Sequence, residues 1–156
     1  MISYTEGSQR FNYRIAAVFV DDGHLLVHRA ESDPFWALPG GRAEMRELAA
    51  DTVRREMREE LGEEVRVERL LGVVENLFRY SGLDYHELGM YWLAHLPATS
   101  PRRDKAAWFH GDDGGTPLVF RWVPLAEVAT LDLRPAFLRT AVGALPAAVE
   151  HVVVIE

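Results

Sequence analysis

Residues 40–64 read GGRAEMRELAADTVRREMREELGEE, a helix-length run crowded with carboxylates and bounded by glycines. The run contains strong helix formers and no proline after the glycine pair, so we expect a helix from about Glu47 to Leu61. At 3.6 residues per turn, one side of this helix is apolar and carries Ala50, Val53, Met57 and Leu61. Gly62 follows at once and is placed to end the helix.

Another side of the same helix carries Glu56, Glu59 and Glu60, because spacings of three and four residues bring side chains together. Like charges at this spacing destabilise an isolated helix. One interpretation is a solvated face on which interleaved arginines offset the repulsion. The other is a hard divalent cation among the carboxylates, since Mg²⁺ takes oxygen ligands and keeps waters that a phosphate can replace.

The spacing of the fixed residues favours the cation. Counted from the glycine pair, seven residues fall at the spacing of a known signature: Gly41, Glu47, Arg55, Glu56, Glu59, Glu60 and Gly62. In these residues the chain resembles the signature box of the Nudix hydrolases. Met57 takes the bulky aliphatic position of the box. Glu63 departs from it, because an aliphatic residue normally follows the last glycine, and this departure concerns the exit of the helix.

The resemblance implies an α/β protein of the α+β type with the Nudix fold, a curved mixed β-sheet sandwiched between helices. We expect a single Nudix hydrolase domain over residues 1–156. The implied activity is hydrolysis of a pyrophosphate bond in a nucleoside diphosphate linked to another group, X, assisted by a divalent metal. ADP-ribose, a nucleoside triphosphate and a nucleotide sugar all remain open as substrates.

By the same resemblance, the metal ligands are Glu56 and Glu60, with Glu59 supporting them or handling the attacking water. The backbone carbonyl of Gly40 completes the set, since a glycine lets the main chain approach closely. The implied cofactor is Mg²⁺ or Mn²⁺. Its chemical task is to neutralise the phosphate oxygens and the charge that develops in the transition state.

The other catalytic assignments also follow from the family. Arg55 matches its orienting arginine, paired with a carboxylate of the box, and Glu47 fixes the geometry between loop and helix. The general base varies between subfamilies, so Glu87 and Glu75 are candidates beside Glu59. An exposed strand carboxylate without catalytic role is the alternative for Glu87. Two further carboxylates could enter from a long loop, Asp112 and Asp113.

Four aromatic side chains are candidates for stacking on a nucleobase: Trp36, Phe78, Tyr80 and Tyr85. We predict Trp36, Phe78 and Tyr85 as substrate-binding residues, although aromatic side chains are more often part of the core. The choice of substrate depends on loop shape, chiefly at Ser81 to Tyr85 and at Pro97 to Pro117.

Composition limits the classes of function. The formal net charge of −7 argues against DNA or RNA as the main partner, because binding a polyanion needs a basic surface. The absence of cysteine excludes disulfides, thiol nucleophiles and zinc–thiolate sites. The N-terminus lacks a signal-peptide pattern and no apolar run is long enough for a membrane span, so we expect a cytoplasmic protein with a small nucleotide as its partner. A homodimer is left open by the resemblance.

Several elements outside the box are predicted from β-propensity and turn residues. They are a loosely held lead (Met1 to Phe11), a hairpin (Tyr13 to Val20 with Leu25 to His28), one bulged or two separate strands (Val65 to Phe78), a return strand (His86 to Leu96), a long surface loop (Pro97 to Pro117), a strand (Leu118 to Val123), a helical turn (Leu125 to Ala129), a helix (Arg134 to Ala144) and a last strand (Val149 to Ile155).

Two other functions compete with the hydrolase. A catalytically silent Nudix domain would bind a nucleotide and regulate another process, but such a domain need not keep the carboxylates at 56, 59 and 60. A purely structural α/β domain with a charged helix is the third interpretation.

Overall fold

A computed structural model describes all 156 residues of the chain. It contains ten strands, three helices and one 3₁₀ turn. The strands are β1 (Ser3–Glu6), β2 (Gln9–Val18), β3 (Val20–Asp21), β4 (His24–Ala30), β5 (Gly40–Arg42), β6 (Arg66–Tyr80), β7 (Leu83–His95), β8 (Trp108–Asp113), β9 (Thr116–Pro124) and β10 (Glu150–Ile155). The helices are α1 (Ala49–Leu61), α2 (Leu125–Val128) and α3 (Leu138–Ala141), and the 3₁₀ turn is Pro101–Arg103.

The strands form two sheets. The larger sheet has the order β1-β2-β7-β6-β10, with β5 also paired to β2, and the smaller sheet has the order β3-β4-β9-β8. Strand β2 runs parallel to β7 and β10 runs parallel to β6, whereas β6 and β7 form a long antiparallel hairpin. The larger sheet is therefore mixed. Register shifts near Val67 and Leu70 interrupt the β6–β7 ladder, as expected for a bulged strand.

Two hydrophobic cores lie on the two faces of the sheets. In β2, Ile15 and Ala17 belong to the core that also contains Val53 and Met57 of α1. Their neighbour Ala16 belongs to the other core, which contains the buried residues of α2 and α3. Because successive side chains of a strand point to opposite faces, the strands are covered on both sides. The predicted α+β fold, a curved mixed sheet sandwiched between helices, is confirmed.

Helix α1 begins at Ala49, two residues later than predicted, and ends as predicted. Gly62 adopts φ 68°, and its N–H donates to the Arg58 carbonyl at 3.1 Å. The bond from Gly62 to Arg58, four residues back, is that of an αL-type cap, and the N–H of Glu63 donates to the Met57 carbonyl at 3.3 Å. The Glu63 side chain accepts a hydrogen bond from the Ser100 hydroxyl, which gives this departure from the box a polar partner.

Two predictions at the N-terminal end of the chain were wrong. Residues 3–6 form β1, paired with the start of β2, instead of a loose lead. The predicted hairpin exists only as the short β3–β4 ladder, because β2 ends at Val18 and pairs with β7 in the other sheet. A run of apolar residues does not show where a strand changes its sheet.

Two predictions in the C-terminal half were also wrong. The segment from Pro97 to Pro117 is not one long loop, since it contains the 3₁₀ turn, β8 and the tight turn at Gly114 and Gly115. The helix predicted from Arg134 to Ala144 is reduced to the short α3, and the Arg134–Pro135 peptide bond is cis. The predicted turn of α2 and the last strand are confirmed.

Candidate active site

Arg55 ties the loop before α1 to the helix itself. Its Nε donates to Glu47 Oε1 at 2.7 Å and its Nη2 donates to Glu47 Oε2 at 3.1 Å and to the Arg42 carbonyl at 3.0 Å. Its Nη1 donates to Glu56 Oε1 at 2.9 Å and to Glu59 Oε2 at 3.3 Å. The guanidinium therefore joins loop carboxylate and helix carboxylates in one network.

Glu47 is the anchor of the loop. Besides Arg55, its carboxylate accepts hydrogen bonds from the Glu44 N–H and the Thr52 hydroxyl, each at 2.9 Å. The hydrogen bond from Arg55 is the main cause that lowers the pKa of Glu47 to about 2. Glu47 is thus ionised near neutral pH, and its hydrogen bonds join the loop to α1.

Glu56 and Glu60 lie one helical turn apart and face inward. They are 6% and 4% exposed. Burial is the main cause that raises the pKa of both carboxyl groups, and the charge of Glu56 raises that of Glu60 further. A Cβ added to Gly41 would overlap the Glu56 carboxyl group, so the glycine pair leaves the space that this carboxyl occupies.

His28 approaches the same pair from β4. Its Nδ1 lies 3.8 Å from Glu60 Oε2. Burial, followed by the charge of Arg14, lowers the pKa of His28 to about 3, so the imidazole is neutral near pH 7 and forms no ion pair with Glu60. The Glu60 carboxylate therefore has no cationic partner in direct contact.

The donor set fits a hard divalent cation. Both oxygens of Glu60 are buried without a hydrogen-bond partner, and an uncompensated buried carboxylate is unfavourable without an opposite charge. Carboxylate oxygens are the ligands that Mg²⁺ prefers. No three acidic or His side chains are gathered closely enough to hold an ion by themselves. The arrangement therefore offers an inner pair of carboxylates, and further oxygen ligands would come from the main chain, the substrate or water.

The predicted supporting carboxylates take different positions. The Glu59 side chain is 57% exposed and its only polar partner is Arg55. Glu87 is 6% exposed and accepts a hydrogen bond from Asn12 Nδ2 at 2.9 Å. Glu87 shares its strand face with Tyr91, which belongs to the core opposite α1. Glu75 is paired with His151 at 2.7 Å on the sheet surface. Of these three carboxylates, only Glu59 lies on α1 itself.

The predicted aromatic residues form two separate groups. Phe78 and Tyr85 are paired across β6 and β7, and their rings stack at 4.9 Å and 14°. Trp36 is 7% exposed and lies under the guanidinium of Arg29, 4.9 Å from its ring centre, and near that of Arg121. Only the first pair lies on the β6–β7 hairpin, on the strand face of Glu87.

Sequence reasoning missed four polar residues that the fold buries or half-buries: Asn12, Arg14, His28 and Asn76. Arg14, His28 and Asn76 lie inside the predicted β-prone runs, where a polar residue is usually taken for the solvent-facing position, and Asn12 directly precedes one of them. Asn12 and Asn76 are instead 6% and 5% exposed, and Arg14 donates to the Leu38 carbonyl at 2.8 Å. Whether a polar residue in a strand is buried can be recognised only when the elements that pack over the strand are known.

A family model confirms what the box indicates. The NUDIX domain model matches residues 10–142, which include the loop, α1 and every strand from β3 to β9.

The chain belongs to the Nudix hydrolase family.

Comparisons with individual proteins agree with this membership. A MutT-like protein of Streptomyces ambofaciens is 42% identical over 66 residues, and this match spans 42% of the chain and 43% of that protein. A NUDIX hydrolase from Nitrosomonas europaea has the same fold, with a TM-score of 0.65, 16% identity and 93% of this chain and 79% of that chain covered. An ADP-ribose pyrophosphatase from Streptococcus suis gives a TM-score of 0.60 at 15% identity, covering 91% and 98% of the two chains.

Membership establishes the general chemistry. As a family, Nudix hydrolases act on small nucleotide derivatives and generally use divalent metals. The expected enzyme class is thereby confirmed. None of its helices is both long and apolar enough to cross a membrane.

Proposed function

We propose that this Nudix hydrolase cleaves the pyrophosphate bond of a nucleoside diphosphate linked to a group X, with Mg²⁺ as its working metal. The observation that carries the proposal is the buried Glu60 carboxylate, whose two oxygens have no partner and which faces Glu56. Such a pair is costly in the absence of a cation and useful in its presence. ADP-ribose, nucleoside triphosphates and nucleotide sugars are the substrates to test.

Glu56 and Glu60 would hold the metal, with the Gly40 carbonyl and Glu59 as further ligands. When bound, the metal would neutralise phosphate oxygens and so favour attack by water at phosphorus. Mn²⁺ has the same preference for oxygen ligands and would substitute for Mg²⁺ in an assay.

The residues around the metal position have distinct tasks. Arg55 and Glu47 hold α1 against the loop, so that Glu56 keeps its orientation. Glu59 is exposed and can accept a proton from the attacking water, which makes it our general base. Arg14 carries a positive charge close enough to affect Glu60, and it is placed to attract the anionic substrate.

The test is turnover on a nucleotide panel with Mg²⁺. We expect at least one of ADP-ribose, a nucleoside triphosphate and a nucleotide sugar to be hydrolysed, and Glu60→Gln and Glu56→Gln to lower kcat by about 100-fold or more, because the charge that binds the metal is lost. Glu68→Gln, an exposed carboxylate on β6, is the matched control and should keep full activity.

Two results would contradict this function. Unchanged turnover in both helix variants would show that the carboxylate pair is not part of the reaction. Binding of nucleotides with no turnover across the panel would instead favour the silent regulatory domain. The homodimer, the cytoplasmic location and the extent of the domain stay predictions.

A further inference from the structure

Three buried polar side chains form a row across the middle of the larger sheet. Asn12 of β2 lies opposite Glu87 of β7, and Glu87 lies opposite Asn76 of β6. Their exposed fractions are 6%, 6% and 5%. We call these residues the polar row. They are not part of the Nudix box and none of them contacts Glu56 or Glu60 through a hydrogen bond.

The polar row presents hydrogen-bond acceptors that have no donor. Asn12 Nδ2 donates to Glu87 Oε2 at 2.9 Å, which fixes the orientation of this amide because a carboxylate only accepts. The Oδ1 atom of Asn12 is then left buried without a partner, and so is Oδ1 of Asn76. Buried polar groups are almost always paired, so the row is suited to a ligand that brings N–H groups.

An aromatic surface adjoins the polar row on one side. Phe78 lies two residues after Asn76 on β6, and Tyr85 lies two residues before Glu87 on β7. Both are therefore on the same face as the polar row and roughly 7 Å from it along the strands. Both rings are half-buried, and the guanidinium of Arg10 lies 5.8 Å from the centre of the Tyr85 ring. A planar group can stack on the open side of this pair while its edge reaches the row.

A positive charge adjoins the polar row on the other side. Arg14 lies two residues beyond Asn12, again roughly 7 Å along the strand. It lies opposite Gly89, which has no side chain. Arg14 Nη2 donates to the Leu38 carbonyl at 2.8 Å, in the segment that leads into the glycine pair of β5. This face of the sheet thus offers, in order, an aromatic surface, hydrogen-bond acceptors and a cation.

This order matches the parts of a nucleotide from base to phosphate. We propose that the polar row reads the N–H donors of the nucleobase and selects substrates whose base carries an exocyclic amino group. Adenine, guanine and cytosine have such a group, whereas uracil and hypoxanthine carry a carbonyl where cytosine and adenine carry the amine. A carbonyl oxygen facing Glu87 would set two acceptors against each other. The inference rests on the proposed function for the position of the phosphates, and it gives Glu87 a binding role in place of the general-base role.

The test measures binding of nucleoside monophosphates by calorimetry, since these have no pyrophosphate bond and need no turnover. The pairs are AMP with IMP, CMP with UMP, and GMP with IMP, which differ at one exocyclic position. We expect the amino-bearing member of at least one pair to bind about 10- to 100-fold more tightly to the unaltered protein, in the range that a good base contact supplies.

Two variants of the polar row test the assignment. Glu87→Gln supplies an amide that can donate to a carbonyl, so it should narrow or reverse the preference. Asn76→Ala removes one acceptor without a change of charge and should reduce the difference in affinity between the two members of a pair. Glu68→Gln makes the same chemical change as the first variant on an exposed residue of β6 and should keep the preference. Thermal unfolding shows which variants are folded.

Equal affinities within every pair would overturn the inference, and so would a failure of all the monophosphates to bind. A loss of affinity in Glu87→Gln that is the same for both members of a pair would overturn it as well. Failure of the proposed function would appear separately, as absence of Mg²⁺-dependent turnover on the nucleotide panel.

Discussion

At the scale of single residues, two glutamates of the same box have opposite environments. Glu47 is surrounded by donors, chiefly Arg55, and the pKa of its carboxyl is lowered to about 2. Glu60 is buried without a donor and its pKa is raised, first by burial and then by Glu56. The first carboxylate is satisfied by the protein and stabilises it. The second is unsatisfied and is available to an ion.

The structural role of Glu47 predicts a stability loss that depends on pH. Because its pKa is depressed from the ordinary 4.5 to about 2, its contribution is present above about pH 4.5 and is lost as the pH falls to about 2. We expect Glu47→Gln to lower the free energy of unfolding by roughly 1–3 kcal/mol near neutral pH, since Arg55 loses a charged partner. Urea unfolding at several pH values measures the difference.

The control for this prediction is Glu64→Gln. Glu64 also accepts two hydrogen bonds from an arginine of α1, Arg58, but both groups are exposed. Exposed ion pairs contribute little, so this variant should lose much less stability than Glu47→Gln. The prediction concerns the difference in the free energy of unfolding between the unaltered protein and Glu47→Gln. If this difference were the same at pH 7 and near pH 2, the stabilising role of the ionised Glu47 carboxylate would be contradicted.

At the scale of elements, helix α1 packs its apolar side against the sheet and directs its acidic side towards the loop that precedes it. Val53, Met57 and Leu61 are buried at 1%, 0% and 4% exposure. The same helix therefore fixes Glu56 and Glu60 by packing on its other residues. The helix ends at Gly62, where the backbone adopts a left-handed conformation.

The exit of α1 predicts the effect of Gly62→Ala. No atom lies within 4 Å of a Cβ added at Gly62, so the cost comes only from the φ of 68°. We expect a loss of roughly 1–2 kcal/mol in the free energy of unfolding, with little change in kcat, because the carboxylates lie within the helix. The measurement is urea unfolding together with turnover of the best substrate.

Gly143→Ala is the matched control for the helix exit. Its added Cβ would meet only the Thr140 carbonyl oxygen at 3.7 Å, an ordinary contact, and its φ is not positive. This variant should keep its stability. Equal losses in both variants would show that the left-handed conformation of Gly62 is not what matters.

At the scale of the whole molecule, the chain passes from the larger sheet to the smaller sheet between the end of β2 and the start of β3. The glycine pair of β5, which is paired with Ile15 and Ala16 of β2, and His28 of β4 lie beside α1. The site thus draws on both sheets and on the helix. The site also contains a buried pair of acidic groups, Glu56 and Glu60, whose pKa values are raised by burial.

The buried pair predicts how the stability of the metal-free protein depends on pH. The pKa values of Glu56 and Glu60 are raised above the ordinary 4.5, so the stabilising protonated form is complete below about pH 4.5 and is lost as the pH rises through the raised values. We expect the Tm to fall by several degrees from about pH 5 to 8 in the presence of a chelator. Mg²⁺ should restore it at the upper end, because it binds the ionised form.

Calorimetric or fluorescence melting curves with a chelator and with Mg²⁺ measure this effect. In Glu60→Gln both the fall in Tm and the recovery with Mg²⁺ should be reduced, since the charge is absent. A Tm that responds to Mg²⁺ equally in Glu60→Gln and in the unaltered protein would place the ion elsewhere.

The sequence by itself determined the family, the helix and the residues of the box. It could do so because their spacing is local: Arg55, Glu56 and Glu60 take their relative positions from one helix, and Gly62 ends it by its own backbone preference. The α+β class followed from the resemblance that this spacing carries.

Only the tertiary structure decided which polar residues are buried and which sheet each strand joins. Asn12, Glu87 and Asn76 come from three strands far apart in the chain, and their alignment depends on register. Likewise, Glu59 lies outside and Glu60 inside because His28 and the glycine pair cover one side of the helix. Pairing between distant strands is set by packing over the whole chain, and no local pattern of residues contains it.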